Sequence, residues 1–304
     1  MGASVRVPAT SANLGPGFDS FGLALDLHNV FSAELAENWL VEVAGEGADS
    51  LETGAKNRVA ASMARVFSEV GRPDLAAHVV CDNRIPLGSG LGSSSAAIVG
   101  GVLLAQSLAE ADLGPERLLE IAAEIEGHPD NVAAALFGGF TVCWQEEGPR
   151  CARFEPARGL AAVVVPATVE LATERARAML PRDVSHLDAS FNVGHAGLLA
   201  AAIVSGRPEL LGHALDDRLH EPYREAAVGD LAEVRAILHD AGAAGVALSG
   251  AGPTVIGLVA GETDEAAHDL ALEVAERAAG PVRALGGRRS PTALRIDRNG
   301  ALLT

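Results

Sequence analysis

The segment Pro86-Leu87-Gly88-Ser89-Gly90-Leu91-Gly92-Ser93-Ser94-Ser95-Ala96-Ala97 constrains this chain more than any other. Its spaced glycines let a backbone turn sharply and approach a ligand with no Cβ in the way. The apolar run that follows, Ala96 to Leu108, reads as a helix. A helix start carries unpaired N–H groups and the positive end of the helix dipole. Loop and helix start together make an anion cradle, most often for phosphate. Serine hydroxyls at its rim can cap the helix or reach a cation riding on the phosphates. The plainer alternative is a flexible loop ending in a serine-capped helix, and the density of Gly and Ser directly before the helix favours the cradle.

Two familiar phosphate loops are excluded. A Walker A loop needs Gly-x-x-x-x-Gly-Lys-Ser/Thr, and the only lysine is Lys56. The spacing also fails the dinucleotide fingerprint, and no clear strand-borne acid follows about twenty residues on. Charge at this site has to come from helix dipole, metal and arginine. The net charge of −17 denies the chain the basic face that nucleic acid requires, so no nucleic-acid partner is expected. Cys81, Cys143 and Cys151 show no metal-ligand spacing and read as reduced, mostly buried thiols of a cytoplasmic protein. Arg6 and Pro8 interrupt the start before a signal-peptide core can develop. Ala241–Ala260 is uncharged, but five glycines and Pro253 break any helix there, so two short strands around a loop are expected and no membrane partner.

The length of 304 residues allows two domains, and with aromatics at 4% the core must be built from Ala, Val and Leu. Strands are expected at Val5–Val7, Val30–Leu35, Leu40–Val43, Ala77–Cys81, Phe140–Trp144, Ala161–Val165, Gly245–Leu248 and Thr254–Val259. Apolar spacing predicts helices over Asn57–Val70, through Leu118–Ile125 to a stop at Gly127, and after a cap at Asp130. Further helices are expected at Glu174–Met179, Ala189–Val204, Glu209–Leu215, Asp230–Ala241 and Glu265–Ala279, with a closing hairpin around Asn299-Gly300. Gly148-Pro149 and the polar stretch to Arg158 read as the domain junction, dividing the chain into residues 1–155 and 156–304. Mixed strands and helices in both halves indicate an α+β fold.

Two further blocks join the glycine loop: Pro8-Ala9-Thr10-Ser11-Ala12-Asn13-Leu14-Gly15-Pro16-Gly17-Phe18-Asp19, and Ser249-Gly250-Ala251-Gly252-Pro253-Thr254. In this order the three resemble the motifs of the galactokinase, homoserine kinase, mevalonate kinase and phosphomevalonate kinase (GHMP) superfamily, the first in its homoserine kinase form. The resemblance implies an N-terminal nucleotide-binding domain like ribosomal protein S5 domain 2 and a ferredoxin-like C-terminal domain. It also implies ATP and Mg²⁺ as cofactors and L-homoserine as acceptor. The alternative is another small-alcohol kinase of the same superfamily, and a homodimer is compatible with either. An RNA-binding role for an S5-like half is disfavoured by charge.

Residue roles follow from the same resemblance. Pro86 to Ala96 form the phosphate cradle, and Asn57 stands where an adenine contact belongs, a position that a helix N-cap explains equally well. Ser94 and Glu126 align with metal ligands, as hard oxygen donors suited to Mg²⁺, and Ser95 is expected to matter much less. Asp19 would pair with the substrate ammonium, while Asn13 or Asn131 orients the hydroxyl. Arg177 and Arg224 match positions that grip the α-carboxylate, for which a planar guanidinium fork is the right chemistry. No general base declares itself. His128 is a candidate that serves loop shape equally well, and Thr173 stands near the place where mevalonate-type relatives carry an aspartate.

Overall fold

A computed structural model describes residues 2–304, which form two sheets with helices packed against them. The first sheet is built from β1 (Gly2–Ala12), β2 (Phe21–Ala36), β3 (Leu40–Gly45), β4 (Ala76–Asn83), β5 (Phe140–Gln145) and β6 (Pro149–Phe154). Its order is β1-β2-β4-β3, with β3 parallel to β4, and β5 pairs the start of β2 while β6 pairs β5. Four helices cover it: α1 (Arg58–Glu69), α2 (Ser93–Leu108), α3 (Gly114–Glu126) and α4 (Asp130–Phe137). The buried side of α1 carries its apolar stripe, Val59, Met63, Val66 and Phe67, and the helix starts where Asn57 Oδ1 accepts the Val59 N–H. Helix α2 is apolar all round and lies in the middle of the helical layer, the position such a helix requires.

The second half begins with β7 (Leu160–Val165), α5 (Thr173–Ala178), α6 (His186–Ser205), α7 (Leu211–Ala214), α8 (Glu221–Val228) and α9 (Leu231–Ala241). It continues with β8 (Gly245–Leu248), β9 (Val255–Ala260), α10 (Asp264–Leu285) and β10 (Thr292–Arg295). The sheet is antiparallel throughout, ordered β10-β7-β9-β8, and α9 and α10 pack on it. Strand, helices, two strands, helix, strand in that spatial order is the ferredoxin-like arrangement. Every residue of β7 is buried, which explains why it reads as an uninterrupted apolar run. Helix α6 is long and apolar enough to cross a bilayer by length and composition. Here its Asn192 is buried, donating to Asp217 and accepting the Arg218 N–H.

The structure departs from expectation in several places. The closing hairpin does not form: β10 joins the second sheet, while the chain beyond it returns to the first, where β11 (Leu302–Leu303) pairs β1. The supposed junction is itself structured, with Gly148 in the turn between β5 and β6. Expected helix Glu209–Leu215 is a 3₁₀ turn at Pro208–Leu210 followed by the short α7. Helix α8 had no expectation, and α10 runs on past Pro281. Helix α2 begins at Ser93, so all three serines lie in its first turn.

Candidate active site

The three glycine-rich segments line one cleft at the meeting of the two halves. They are stitched to one another by backbone: Thr10 N–H donates to Leu91 O at 3.1 Å, Gly250 N–H to Ala12 O at 2.9 Å, and Thr254 N–H to Ser89 O at 3.0 Å. Ser249 Oγ adds a bond to Gly90 O at 2.7 Å. Side chains are excluded where these strands cross. Gly90 has φ +88°, and a Cβ there would lie 2.4 Å from Ser249 O and 2.8 Å from Gly252 O. At Gly92, φ +70°, a Cβ would meet Thr10 Oγ1 at 2.0 Å. Only glycine satisfies both demands.

Gly88, Ser89, Gly90, Gly92, Ser93 and Ser94 line the cleft, whereas Pro86, Leu87, Leu91, Ser95 and Ala96 do not. Leu91 and Ala96 are core residues, and Ser89 Oγ is spent on Pro86 O. Asn57 also lies outside the cleft lining: its amide caps α1 and donates to Glu52 O. Its placement gives a structural reason for the residue.

Helix α3 ends at Gly127, φ +92°, which turns Glu126 towards the start of α2. There Ser94 Oγ donates to Oε2 at 2.7 Å and Ser95 Oγ to Oε1 at 2.8 Å. The expectation that Ser95 is a bystander is therefore corrected, since it holds the second carboxylate oxygen. The unfavourable position of an acid at a helix C-terminus is relieved without a cation: the carboxylate sits at another helix's N-terminus, where negative charge is stabilised.

Two residues on, His128 Nδ1 meets Asp130 Oδ1 at 2.6 Å, and the same oxygen accepts the Asn131 N–H. Asp130 is thus the first residue of α4 and not its cap, and its side chain holds both the Asn131 N–H and the imidazole. Burial pulls His128 towards neutrality, but the Asp130 hydrogen bond and the charges of Asp130 and Glu126 outweigh it and raise the pKa. A histidine biased towards its cation is a poor base and a useful positive charge. Asn131 Oδ1 accepts from Thr10 Oγ1 at 2.7 Å, leaving Nδ2 free to donate. Asn13 is more committed, donating to Gly250 O and accepting the Asp19 N–H.

Asp19 and Arg177, expected to bind opposite ends of a substrate, bind each other through two hydrogen bonds of 2.7 and 2.9 Å. Arg224 is different. Its side chain is 2% exposed; Nη1 serves His220 Nδ1 and Gly250 O, and Nε has no partner. Burial, then the charge of Arg177, lowers its pKa. Both guanidinium groups stand over the Phe18 ring, at 5.8 and 5.6 Å. Thr173 lines the cleft as an exposed residue at the start of α5.

Three residues important to this geometry escaped the sequence reading. His220 Nε2 donates to Gly15 O while Nδ1 accepts from Arg224, which fixes one neutral tautomer. Asp217 accepts the N–H groups of Leu219, His220 and Glu221, fixing the start of α8 and so the reach of Arg224. Asp130, expected only as a helix cap, is the third through its hold on His128. The signal for Asp217 was present, an acid shortly before Glu221-Pro222, with proline in the first turn.

The chain is similar to known proteins in both sequence and fold. The family model of the GHMP kinases N terminal domain matches residues 57–139, and that of the GHMP kinases C terminal domain matches residues 199–280. A homoserine kinase of Streptomyces coelicolor is 45% identical over 272 residues, 88% of this chain and 87% of that one. A homoserine kinase of Clavibacter michiganensis is 43% identical over 92% of this chain and 89% of its own length. Among solved structures, homoserine kinase from Cytophaga hutchinsonii superposes with a TM-score of 0.87 at 27% identity, covering 100% of this chain and 97% of that one.

Proposed function

The chain belongs to the homoserine kinase family of GHMP kinases, and on that premise we propose how its cleft works. The protein is an ATP-dependent kinase that transfers the γ-phosphoryl group to the side-chain hydroxyl of L-homoserine, forming O-phospho-L-homoserine in threonine biosynthesis. The backbone N–H groups of the Gly88–Ser94 turn and the first turn of α2 cradle the phosphates. Glu126 and Ser94 offer a carboxylate and a hydroxyl side by side, a donor set that fits a hard divalent cation. Mg²⁺ held there would supply charge neutralisation to the phosphoryl groups; Ser95 keeps the carboxylate turned towards it.

The acceptor is a zwitterion. Its ammonium fits Asp19 and its carboxylate fits Arg177 and Arg224, so binding exchanges the Asp19–Arg177 pair for two pairs of the same sense. Asn131 orients the hydroxyl with its free Nδ2. His128 contributes positive charge, with Asp130 as its positioning residue. A loose phosphoryl-transfer transition state needs little early proton removal, so positioning and electrostatics carry the rate, assisted by Thr173.

The observation supporting this reading is Arg224, a buried guanidinium at the cleft with an unpartnered Nε. A charged hydrogen bond is worth about 1.5–3 kcal/mol, so Arg224→Ala should cost about ten- to a hundredfold in kcat/KM. The loss should appear as a raised KM for homoserine, with KM for ATP almost unchanged. The decisive comparison uses the amino alcohol made by reducing the α-carboxylate. Wild type should use it poorly, and Arg224→Ala should lose little more. Equal losses on homoserine and the amino alcohol would mean that Arg224 serves the fold or the phosphates.

A further inference from the structure

Cys143 of β5 and Cys151 of β6 are direct cross-strand partners. The ladder pattern fixes how they face. Cys143 N–H donates to Ser20 O at 2.7 Å, and Gly139 O accepts the Ala24 N–H, so the odd-numbered residues of β5 direct their backbone groups towards β2. Neither the N–H nor the C=O of Cys143 is therefore turned to β6. Cys143 and Cys151 form a non-hydrogen-bonded pair, the class in which Cα atoms are about 4.5 Å apart and side chains are closest. That separation lies within the range a disulfide spans, about 4.4–6.8 Å.

We propose that Cys143 and Cys151 form a reversible disulfide by exchange with a low-molecular-weight disulfide, a modification site separate from the kinase chemistry. Cys151 is the entry point. It is partly exposed on β6, which among the described residues pairs only with β5, whereas Cys143 is 2% exposed. The neighbouring Cys143 thiol lowers the Cys151 pKa against the effect of burial. The Cys151 thiolate attacks one sulfur of the small disulfide, forming a mixed disulfide and releasing one thiolate. Cys143 then gives up its proton and attacks the Cys151 sulfur, releasing the second. Two protein thiols are oxidised and one small disulfide is reduced to two thiols. Cys81 cannot take part: its register partners are Phe31 and Val43, and burial pushes its thiol up to about 12.

The test is incubation of the intact protein with oxidised glutathione, followed by denaturation, thiol titration and peptide mass mapping. The free-thiol count should fall from three to one, with a Cys143–Cys151 cross-linked peptide that dithiothreitol releases and Cys81 still free. Cys143→Ser should stop at a glutathione adduct on Cys151, and Cys151→Ser should keep both remaining thiols. A wild-type count that stays at three would overturn the proposal. So would a count of two with glutathione retained on Cys151, since the partner would then be out of reach.

Discussion

At the scale of single residues, the chemistry of the cleft was legible as residue types and less so as pairings. Glu126, Ser94, Asn131, Arg177 and Arg224 come together as the motifs imply. Hidden from the sequence was which polar atoms are already spent across the fold: Asp19 on Arg177 and Ser95 on Glu126. Such pairings depend on residues as much as 158 positions apart, and no local pattern encodes them. They change the predictions. Ser94→Ala and Glu126→Gln should lower kcat and kcat/KM together, since the interaction lost acts in the transition state. Ser95→Ala should also lower both, by freeing one carboxylate oxygen; steady-state kinetics at saturating Mg²⁺ decide, and unchanged activity in Glu126→Gln would remove the acid from the mechanism. His128 offers a spectroscopic check. Its raised pKa means that the pairing with Asp130 stabilises the fold fully below the ordinary histidine value, about 6.5, and ceases to do so as pH rises through the higher folded value. In an NMR titration, Asp130→Asn should bring the His128 midpoint below that of an exposed histidine, because burial then dominates. A midpoint unmoved by that substitution would show that Asp130 does not hold the charge.

Elements were easier to read than their ends and partners. Helix α1 announced itself through apolar spacing and Asn57, and β8 through its apolar run between glycines. Strand β6 and helix α8 did not. Pro149-Arg-Cys-Ala-Arg-Phe154 is an edge strand with no fully buried residue, so its sequence carries no apolar alternation. Helix α8 buries only Glu221 and Arg224, polar residues that no hydrophobic pattern can reveal. The glycine turn itself is testable at this scale. Gly90→Ala places a methyl against two backbone carbonyls in a left-handed conformation, whereas Gly114→Ala, at φ +70°, meets nothing within 4 Å. Both carry backbone strain of about 1–3 kcal/mol; only Gly90→Ala must also displace the third motif. Thermal melting should therefore show the larger drop for Gly90→Ala, together with a raised KM for ATP. Equal melting shifts and an unchanged KM would mean that the turn has room to spare.

For the whole molecule, the α+β class and the meeting of three distant motifs were readable, while the return of the chain end to the first sheet was not. Two short apolar residues, Leu302 and Leu303, make β11, and a run that brief does not declare its partner. Asp297 secures that return. Burial works against its charge, but His28 and the N–H groups of Gly300 and Asn299 prevail and hold its pKa down. Its contribution is present above the unfolded carboxylate value of about 3.9 and fades as pH falls through the lower folded value. Asp297→Asn should thus destabilise the protein at neutral pH and flatten the acid limb of its stability curve, read by denaturant unfolding between neutral pH and acid. All of this structure serves one cleft, and the most direct test of its use is ATP turnover in the presence of homoserine, mevalonate, galactose or no acceptor, with the product identified by mass. Turnover should depend on homoserine and Mg²⁺ and yield phosphohomoserine, with mevalonate, galactose and the blank near background; equal turnover with mevalonate, or ATP consumption indifferent to acceptor, would contradict it.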